Sequence, residues 1–524
     1  MTYNIYLLLA VFSGIFTVQA AKKPLNIVFI FSDDHAIQAI SSYGSKINKT
    51  PNIDRLAKLG TVFENSFCSN SICGPSRATV LTGLHSHKNG FKQNNDVFNG
   101  SQMTFPKLLQ KVGYETALIG KWHLSSDPTG FDHWEILPNQ GNYYNPNLYK
   151  EGDRSELRPA KWGRRYQGYV TDVITDLSID WLENRDQNKP FLLMCQHKAP
   201  HEPWAPPIKN LNNYDDVTIP EPETLFDDYA NRSKTIKANT TTIGNFLSAR
   251  SLKYVDPMNP QKLPDLYRMT PEQKQAWLTA YEPKNKKMFE SNLSGKDMTR
   301  WRYQRYIKDY LRCIDSIDEN VGRVLDYLEK QDLMDNTVIV YSSDQSFLLG
   351  EHGMYDKRWM FEESLKMPFI MHWPNQTTPG SRETQLIQNI DYAPTFCDIA
   401  GVTPPKTMQG TSLKKLLKNS EEKWREGIYY HYYEYPNIHN VPPHEGVRTG
   451  RYKLINFYKN DGYNLFDLEA DPNELKDLSK NIEYQKIMKQ MIQKLAKLRR
   501  QYDVPPLDLS KIEPILRKPS IALP

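Results

Sequence analysis

The sequence predicts an α/β fold: a large mixed, mostly parallel sheet sandwiched by helices, plus a small C-terminal antiparallel-sheet subdomain. Three observations predict it. Short apolar runs rich in β-forming residues end repeatedly in polar side chains. Amphipathic helical patterns fall between those runs, and near the C-terminus the rhythm shifts to short aromatic strands joined by turns. In such sheets ligands bind beyond the carboxyl ends of the strands, so the polar clusters are expected on one rim.

Asn26-Ile27-Val28-Phe29-Ile30-Phe31 reads as a buried strand and runs straight into Ser32-Asp33-Asp34. Two adjacent carboxylates just past a buried strand are costly unless paired or metal-bound, and oxygen-rich clusters suit a hard divalent cation. The alternative is a solvated loop with a capping aspartate. The arrangement recurs. Thr116 to Ile119 leads into Gly120-Lys121-Trp122-His123, and Phe191 to Cys195 into Gln196-His197-Lys198-Ala199-Pro200-His201. Thr337 to Tyr341 leads into Ser342-Ser343-Asp344-Gln345. Between these runs Val170, Val173, Ile174, Leu177 and Trp181 recur at helical spacing. Ile307, Tyr310, Ile314, Ile317, Val321, Val324 and Leu328 form a longer amphipathic face. Leu211 to Asp297 is polar, carries Pro and Asn, and shows no strand–helix rhythm; it reads as an insertion whose helical pieces the pattern does not place. Met367 to Met371 predicts another strand and Asp391 to Ala400 a helix. Ile428 to Tyr433, Tyr452 to Phe457 and Tyr463 to Asp467 predict the small antiparallel sheet, and Glu483 to Tyr502 a basic packing helix.

A chain of 524 residues buries a large core, and its 39% hydrophobic and 24% charged content is that of a globular protein. The net charge of +5 is compatible with an anionic substrate, while the absence of a basic run or recognition module argues against nucleic acid. Ile5 to Val18 is apolar and followed by Val18-Gln19-Ala20, which predicts a signal peptide over residues 1–20, although no Lys or Arg precedes the run. Export to the periplasm or medium follows, with a catalytic domain over 21–415 and an α+β subdomain over 416–524. No other segment is long enough for an integral membrane span. Cys68, Cys73, Cys195, Cys313 and Cys397 show neither metal-ligand spacing nor a dense disulfide framework; Cys195 sits in an apolar run and reads as core.

One stretch organises the rest: Cys73-Gly74-Pro75-Ser76-Arg77, then Ala78-Thr79-Val80-Leu81-Thr82-Gly83. Pro75 suits a first helical turn and Gly83 a stop, so a thiol is placed at a helix N-terminus, where the positive dipole end favours an anion. A buried structural thiol beside a capping turn is the plainer alternative. The Cys-Gly-Pro-Ser-Arg core with its Thr82-Gly83 tail resembles the signature of the type I sulfatases of the alkaline phosphatase superfamily, and the resemblance extends from Asn26 to about Asp477.

That resemblance implies the alkaline-phosphatase/sulfatase-like fold and several functional assignments. Cys73 is expected to be converted to formylglycine by a formylglycine-generating or anaerobic sulfatase-maturating enzyme, and its hydrate to attack sulfur and form a covalent sulfate ester. One calcium ion is expected on Asp33, Asp34, Asp344, Gln345 and modified Cys73; Gln345 departs from the Asn or His usual at its position. Arg77 is expected to orient the nucleophile, and Lys121 and Lys357 to bind sulfate. His201 is expected to protonate the leaving alcohol, and His123 to accept the proton that expels sulfate. His352, in Gly350-Glu351-His352-Gly353, is a candidate substrate contact or a satisfied loop histidine. His197 is expected to be structural, and His85 and His87 stand near the pocket without an assigned role. Gly120 to Leu124, Gly130 to Trp134, Tyr143 to Pro146 and Asp356-Lys357-Arg358 resemble the N-acetylglucosamine-6-sulfatase branch and its bacterial polysaccharide-degrading relatives. The implied activity is exo-acting hydrolysis of a sulfated carbohydrate. A phosphate or phosphonate monoester hydrolase on the same scaffold, and a non-catalytic glycan-binding protein with Cys73 unmodified, are the alternatives.

Overall fold

The computed structural model describes residues 23–153, 163–254, 266–418 and 423–510; the expected signal peptide lies outside them. Ten strands form the main sheet: β1 (Asn26–Ser32), β2 (Thr61–Phe63), β3 (Glu115–Lys121), β4 (His133–Leu137), β5 (Asn147–Lys150), β6 (Arg164–Arg165), β7 (Phe191–Gln196), β8 (Thr337–Ser343), β9 (Phe369–His372) and β10 (Ser381–Glu383). They lie in the order β10-β2-β9-β8-β1-β7-β3-β4-β5-β6. The middle five, β8-β1-β7-β3-β4, are all parallel, whereas β9, β5 and β6 pair antiparallel with their neighbours. The sheet is mixed and mostly parallel, as the sequence predicts.

Parallel strands covered on both faces carry continuous apolar runs, and β1 shows why. Val28 and Ile30 point into one core, shared with Ile174 of α2 (Val170–Asn184, after α1, Cys73–Thr82). Ile27, Phe29 and Phe31 point into the other, shared with Ala78 and Val80 of α1. Each such side chain withdrawn from water contributes about 1.5–3 kcal/mol. The first core is completed by α3 (Pro271–Phe289) and the long α4 (Gly295–Lys330), the second by α5 (Tyr392–Ile399).

The polar stretch before α4 contains more regular structure than its sequence pattern reveals. Thr270 caps α3 through a capping box with Gln273, yet α3 carries Pro283 inside and buries no clean stripe, which hid it. Beyond the main sheet, β11 (Gly427–Tyr432), β12 (His444–Thr449), β13 (Tyr452–Phe457) and β14 (Gly462–Asp467) form an antiparallel sheet. Ile428 and Tyr430 join the core beneath the main sheet. On its far face Tyr429, Val447, Leu454 and Leu465 meet Met491, Leu495 and Leu498 of α6 (Gln485–Gln501), a packing helix with a wet basic side. His85 and His87 belong to this junction: they stack on each other, and His87 Nε2 lies 2.8 Å from the Tyr502 carbonyl oxygen. Among the described residues no helix is long and apolar enough to cross a membrane.

Candidate active site

β8, β1, β7 and β3 are adjacent and parallel, so the residues following them emerge on one edge. Asp344, Asp33-Asp34, Gln196 and Lys121 converge there, and α1 starts beneath them with Cys73. The expected shared rim is present. Ser76 Oγ ties the first turn of α1 to the Asp344 carbonyl, and Asn389 Nδ2 donates to Ser76 at 2.9 Å. Gly74 is dictated by space: a Cβ there would stand 2.6 Å from Phe91 Cε1, and its N–H donates to Asn94 Oδ1 at 3.0 Å.

Arg77 is the hub. Its Nε donates to Asp344 Oδ2 at 3.0 Å, its Nη2 lies in ion-pair contact 2.9 Å from the same oxygen, and its Nη1 donates to the Lys121 carbonyl at 2.9 Å and Gln196 Oε1 at 2.7 Å. Phe31 lies under the guanidinium at 5.2 Å, which fixes its plane. Asp344 Oδ1 accepts the N–H groups of Asp34 at 3.1 Å and Gln345 at 3.0 Å. Asp33 is paired with Lys121. Asp34, in the left-handed region at φ +69°, accepts from Lys357 Nζ at 2.5 Å, and Gln345 Nε2 donates to the same oxygen. Lys357 Nζ also lies 3.2 Å from Cys73 Sγ.

His201 Nδ1 lies 2.7 Å from the Glu202 carbonyl, which directs Nε2 toward the cluster, 3.8 Å from Asp34 Oδ2. His123 Nε2 is 3.2 Å from the amide of Gln140, whose Oε1 accepts from Lys121 at 2.5 Å. The four predicted strand-end clusters thus meet the Cys73 helix and Lys357 within one site. His352 does not join them. It packs on Phe361 and lies between Asp227, 3.4 Å from Nδ1, and Glu363, 3.8 Å from Nε2. His197 is buried beside Cys195, in line with a structural role.

The electrostatics are those of dense, buried charge. Against the cost of burial, Lys121 first and then His201 and Arg77 hold Asp33 well below its ordinary value. Burial, reinforced by the neighbouring carboxylates, raises Asp34 and Asp344. The Cys73 thiol is pushed up to about 12, first by burial and then by Asp33, so it is no thiolate nucleophile as it stands. Burial also depresses both His123 and His201.

The donor set fits a hard divalent cation. Oxygens of Asp33, Asp34 and Asp344 all lie within 4.8 Å of one another with no surface exposed beyond 1%. Asp33 Oδ1 and the Gln345 amide oxygen are buried without a hydrogen-bond partner, as oxygens meant for a cation would be.

Residues 25–402 match the family model described as Sulfatase, and residues 350–501 one described as N-sulphoglucosamine sulphohydrolase, C-terminal. The chain belongs to the sulfatase family. It is a sulfuric ester hydrolase. It is 44% identical over 500 residues to an N-acetylglucosamine-6-O-sulfatase of Bacteroides thetaiotaomicron, covering 92% of this chain and 88% of the relative. The human N-acetylglucosamine-6-sulfatase is 25% identical over 443 residues, covering 80% of this chain and 69% of that one. A solved structure in complex with its substrate D-glucosamine-2-N,6-O-disulfate superposes with a TM-score of 0.88 at 44% identity, over 92% of this chain and 98% of that one. The phosphonate monoester hydrolase of Agrobacterium radiobacter shares the fold, at TM-score 0.66 and 20% identity, over 91% of this chain and 96% of that one.

Within this sulfatase, three site residues escaped the sequence reading. Gln140 bridges Lys121 and His123, Gln196 accepts from Arg77, and Asn94 braces Gly74. Gln196 carried a signal, since it directly follows an apolar strand. Gln140 and Asn94 sit in turns with no local pattern to mark them.

Proposed function

We propose that this sulfatase removes the 6-O-sulfate from a glucosamine residue at the end of a sulfated oligosaccharide, using calcium and a formylglycine made from Cys73. The observation that carries the reading is the convergence on Cys73 of three buried carboxylates, two ammonium groups and two imidazoles. The 44% identity to an N-acetylglucosamine-6-O-sulfatase supports the choice of sugar. The same resemblance favours sulfate over phosphonate.

Formylglycine at position 73 would supply a hydrated aldehyde oxygen as nucleophile, for which Cys73 Sγ stands in here. Asp33, Asp34, Asp344 and Gln345 would hold the calcium, which would supply positive charge to the sulfuryl oxygens. The remaining work falls to this chain's side chains. Lys121 and Lys357 present ammonium groups to the sulfate, and Lys357, within hydrogen-bond reach of Sγ, also orients the nucleophile. Arg77 fixes Asp344 and the end of β3 against each other. His201, with Nδ1 held by the Glu202 carbonyl, offers Nε2 to the leaving oxygen. Burial keeps it neutral in the free protein, and the arriving sulfate charge raises its proton affinity. His123, depressed by burial, is a neutral base held by Gln140.

We further infer a catalytic domain over 21–415 and a subdomain over 416–524, export guided by residues 1–20, and maturation by an enzyme that reads Cys73, Pro75 and Arg77. Two measurements test the reading together: the mass of the peptide spanning residues 67 to 77 from the native host, and sulfate release from glucosamine 6-sulfate set against glucosamine N-sulfate and glucosamine 6-phosphate. An aldehyde or hydrate mass with 6-sulfate turnover is expected. A fully active protein with an intact Cys73 thiol, or preference for either other substrate, would sink it.

A further inference from the structure

Away from the catalytic cluster, α3 and α4 enclose a trench of about 570 Å³ whose walls are strongly cationic. Along α4, Trp301, Arg305, Lys308 and Arg312 recur at intervals of four, three and four residues, which places them on one face. At 1.5 Å per residue the stripe is about 16 Å long, enough for a short run of sugar rings. Lys284 and Lys287 face it from α3. Among the described residues one carboxylate, Asp215, lines the trench, against five cations.

Asp215 is already spent, on Arg312 at 2.6 Å and Lys284 at 2.8 Å. Arg305 is the decisive residue. It is 7% exposed, stacks on Tyr281, and donates to the carbonyl of Leu252 at 2.8 Å and the amide oxygen of Asn285 at 2.6 Å. Among the described residues no carboxylate forms an ion pair with it. Asp309 behind the trench is occupied by Lys253 at 3.0 Å and Arg312 at 2.7 Å. A buried guanidinium without a paired anion is costly to keep, and a trench that opens onto it offers the place for one. Among the described residues Lys308 has a 3.4 Å contact to the Asp215 carbonyl. Burial first, and then Arg312, depress its ammonium below the ordinary value, against the opposing pull of Asp215 and Asp216.

We propose that this trench is a second binding site for sulfated glycan, in which sulfate or carboxylate groups along the chain meet Arg305, Lys308 and Lys287 while a sugar face stacks on Trp301. It is separate from the catalytic cluster yet coupled to it by position: Tyr310, on the opposite face of α4, donates to the Asp34 carbonyl at 2.6 Å. A chain held in the trench would be retained near the catalytic rim. The inference rests on the proposed glycan substrate for the identity of its ligand.

The test uses the full-length protein and a Lys287→Glu/Lys308→Glu variant, neither residue belonging to the catalytic machinery, with Trp301→Ala as a second variant. Calorimetry would follow binding of a heparin-derived octasaccharide, a desulfated, N-acetylated octasaccharide and free inorganic sulfate at two salt concentrations, alongside turnover of glucosamine 6-sulfate. The inference expects salt-sensitive octasaccharide binding, weakened tenfold or more by the double variant and several-fold by Trp301→Ala, with monosaccharide turnover unchanged. Equal affinity in wild type and double variant overturns it. So does a double-variant loss seen equally with inorganic sulfate, which would make the trench a plain anion site. Absence of monosaccharide turnover with the binding pattern intact would refute the proposed catalytic function alone.

Discussion

Replacing Arg77 by Met keeps most of the side-chain volume and removes the guanidinium that pairs with Asp344 and donates to it, to the Lys121 carbonyl and to Gln196. Asp344 has no exposed surface, so its carboxylate would be left buried and short of its main counter-charge. Breaking a buried pair from one side costs about 3–5 kcal/mol, and that is the loss expected for metal-free protein at neutral pH. The sign of its pH dependence follows from Asp344. Its folded pKa already lies above its unfolded value, so the folded state holds the proton more tightly and loses stability as pH rises through that window. Without Arg77 the pKa rises further. The gap between variant and wild type should therefore widen from pH 5 to pH 8, and calcium should narrow it at pH 8 by returning positive charge to the carboxylates. Urea unfolding in EDTA and in calcium, at both pH values, reads all of this. A loss below about 1 kcal/mol, or one that is equal at pH 5 and pH 8, would refute the reasoning.

Lys357→Met should leave the fold intact and lower kcat for sulfate release by about 10²–10³-fold, the usual size for one electrostatic stabiliser, checked by initial rates against circular dichroism. His352 is raised to about 9: burial opposes the shift, but Asp227 and Glu363 overcome it, while Arg232 works against them. Its contribution, about 3 kcal/mol, is present in full below the unfolded value of about 6.5 and is lost as pH rises toward 9; His352→Gln should flatten that slope in a thermal-melt pH series. Gln345→Glu adds a fourth carboxylate beside Asp34, so the metal-free melting temperature should fall while the gain on adding calcium grows.

The parts of the fold that the sequence reveals are those where burial acts on consecutive residues. In β1, β3, β7 and β8 both faces are covered, so each strand is an unbroken apolar run, and its end is marked by the abrupt arrival of Asp33, Lys121, Gln196 or Asp344. That sharp edge made the rim legible before any geometry. α3 was not legible because its contacts are spread around the helix: Trp277, Leu278 and Tyr281 face the core, while Lys284 and Lys287 line the trench. The site residues that were missed act through geometry set by distant chain. Gln140 reaches Lys121 across a turn, and Asn94 meets Gly74 from a loop 20 residues on. His352 is a similar case: its sequence leaves a substrate contact and a loop histidine equally open, and its carboxylate neighbours, 125 and 11 residues away, come into view only in the fold.

The charge balance of the site explains why so much charge can be buried in one place. Fully ionised, Asp33, Asp34 and Asp344 carry three negative charges, and Arg77, Lys121 and Lys357 three positive ones, all at most 3% exposed. Without a metal the cluster is neutral, and each ammonium group leans on a carboxylate: Lys121 on Asp33, Lys357 on Asp34. A divalent cation among the carboxylates would take over that neutralisation and leave the two lysines in surplus. They would then be free to meet an anion, and a net charge of about +2 would match a monoanionic sulfate ester with a nucleophile that carries developing negative charge. The same balance accounts for Gln345. A carboxylate there would return the loaded site toward neutrality and weaken its hold on sulfate, whereas an amide offers an oxygen ligand at no cost in charge.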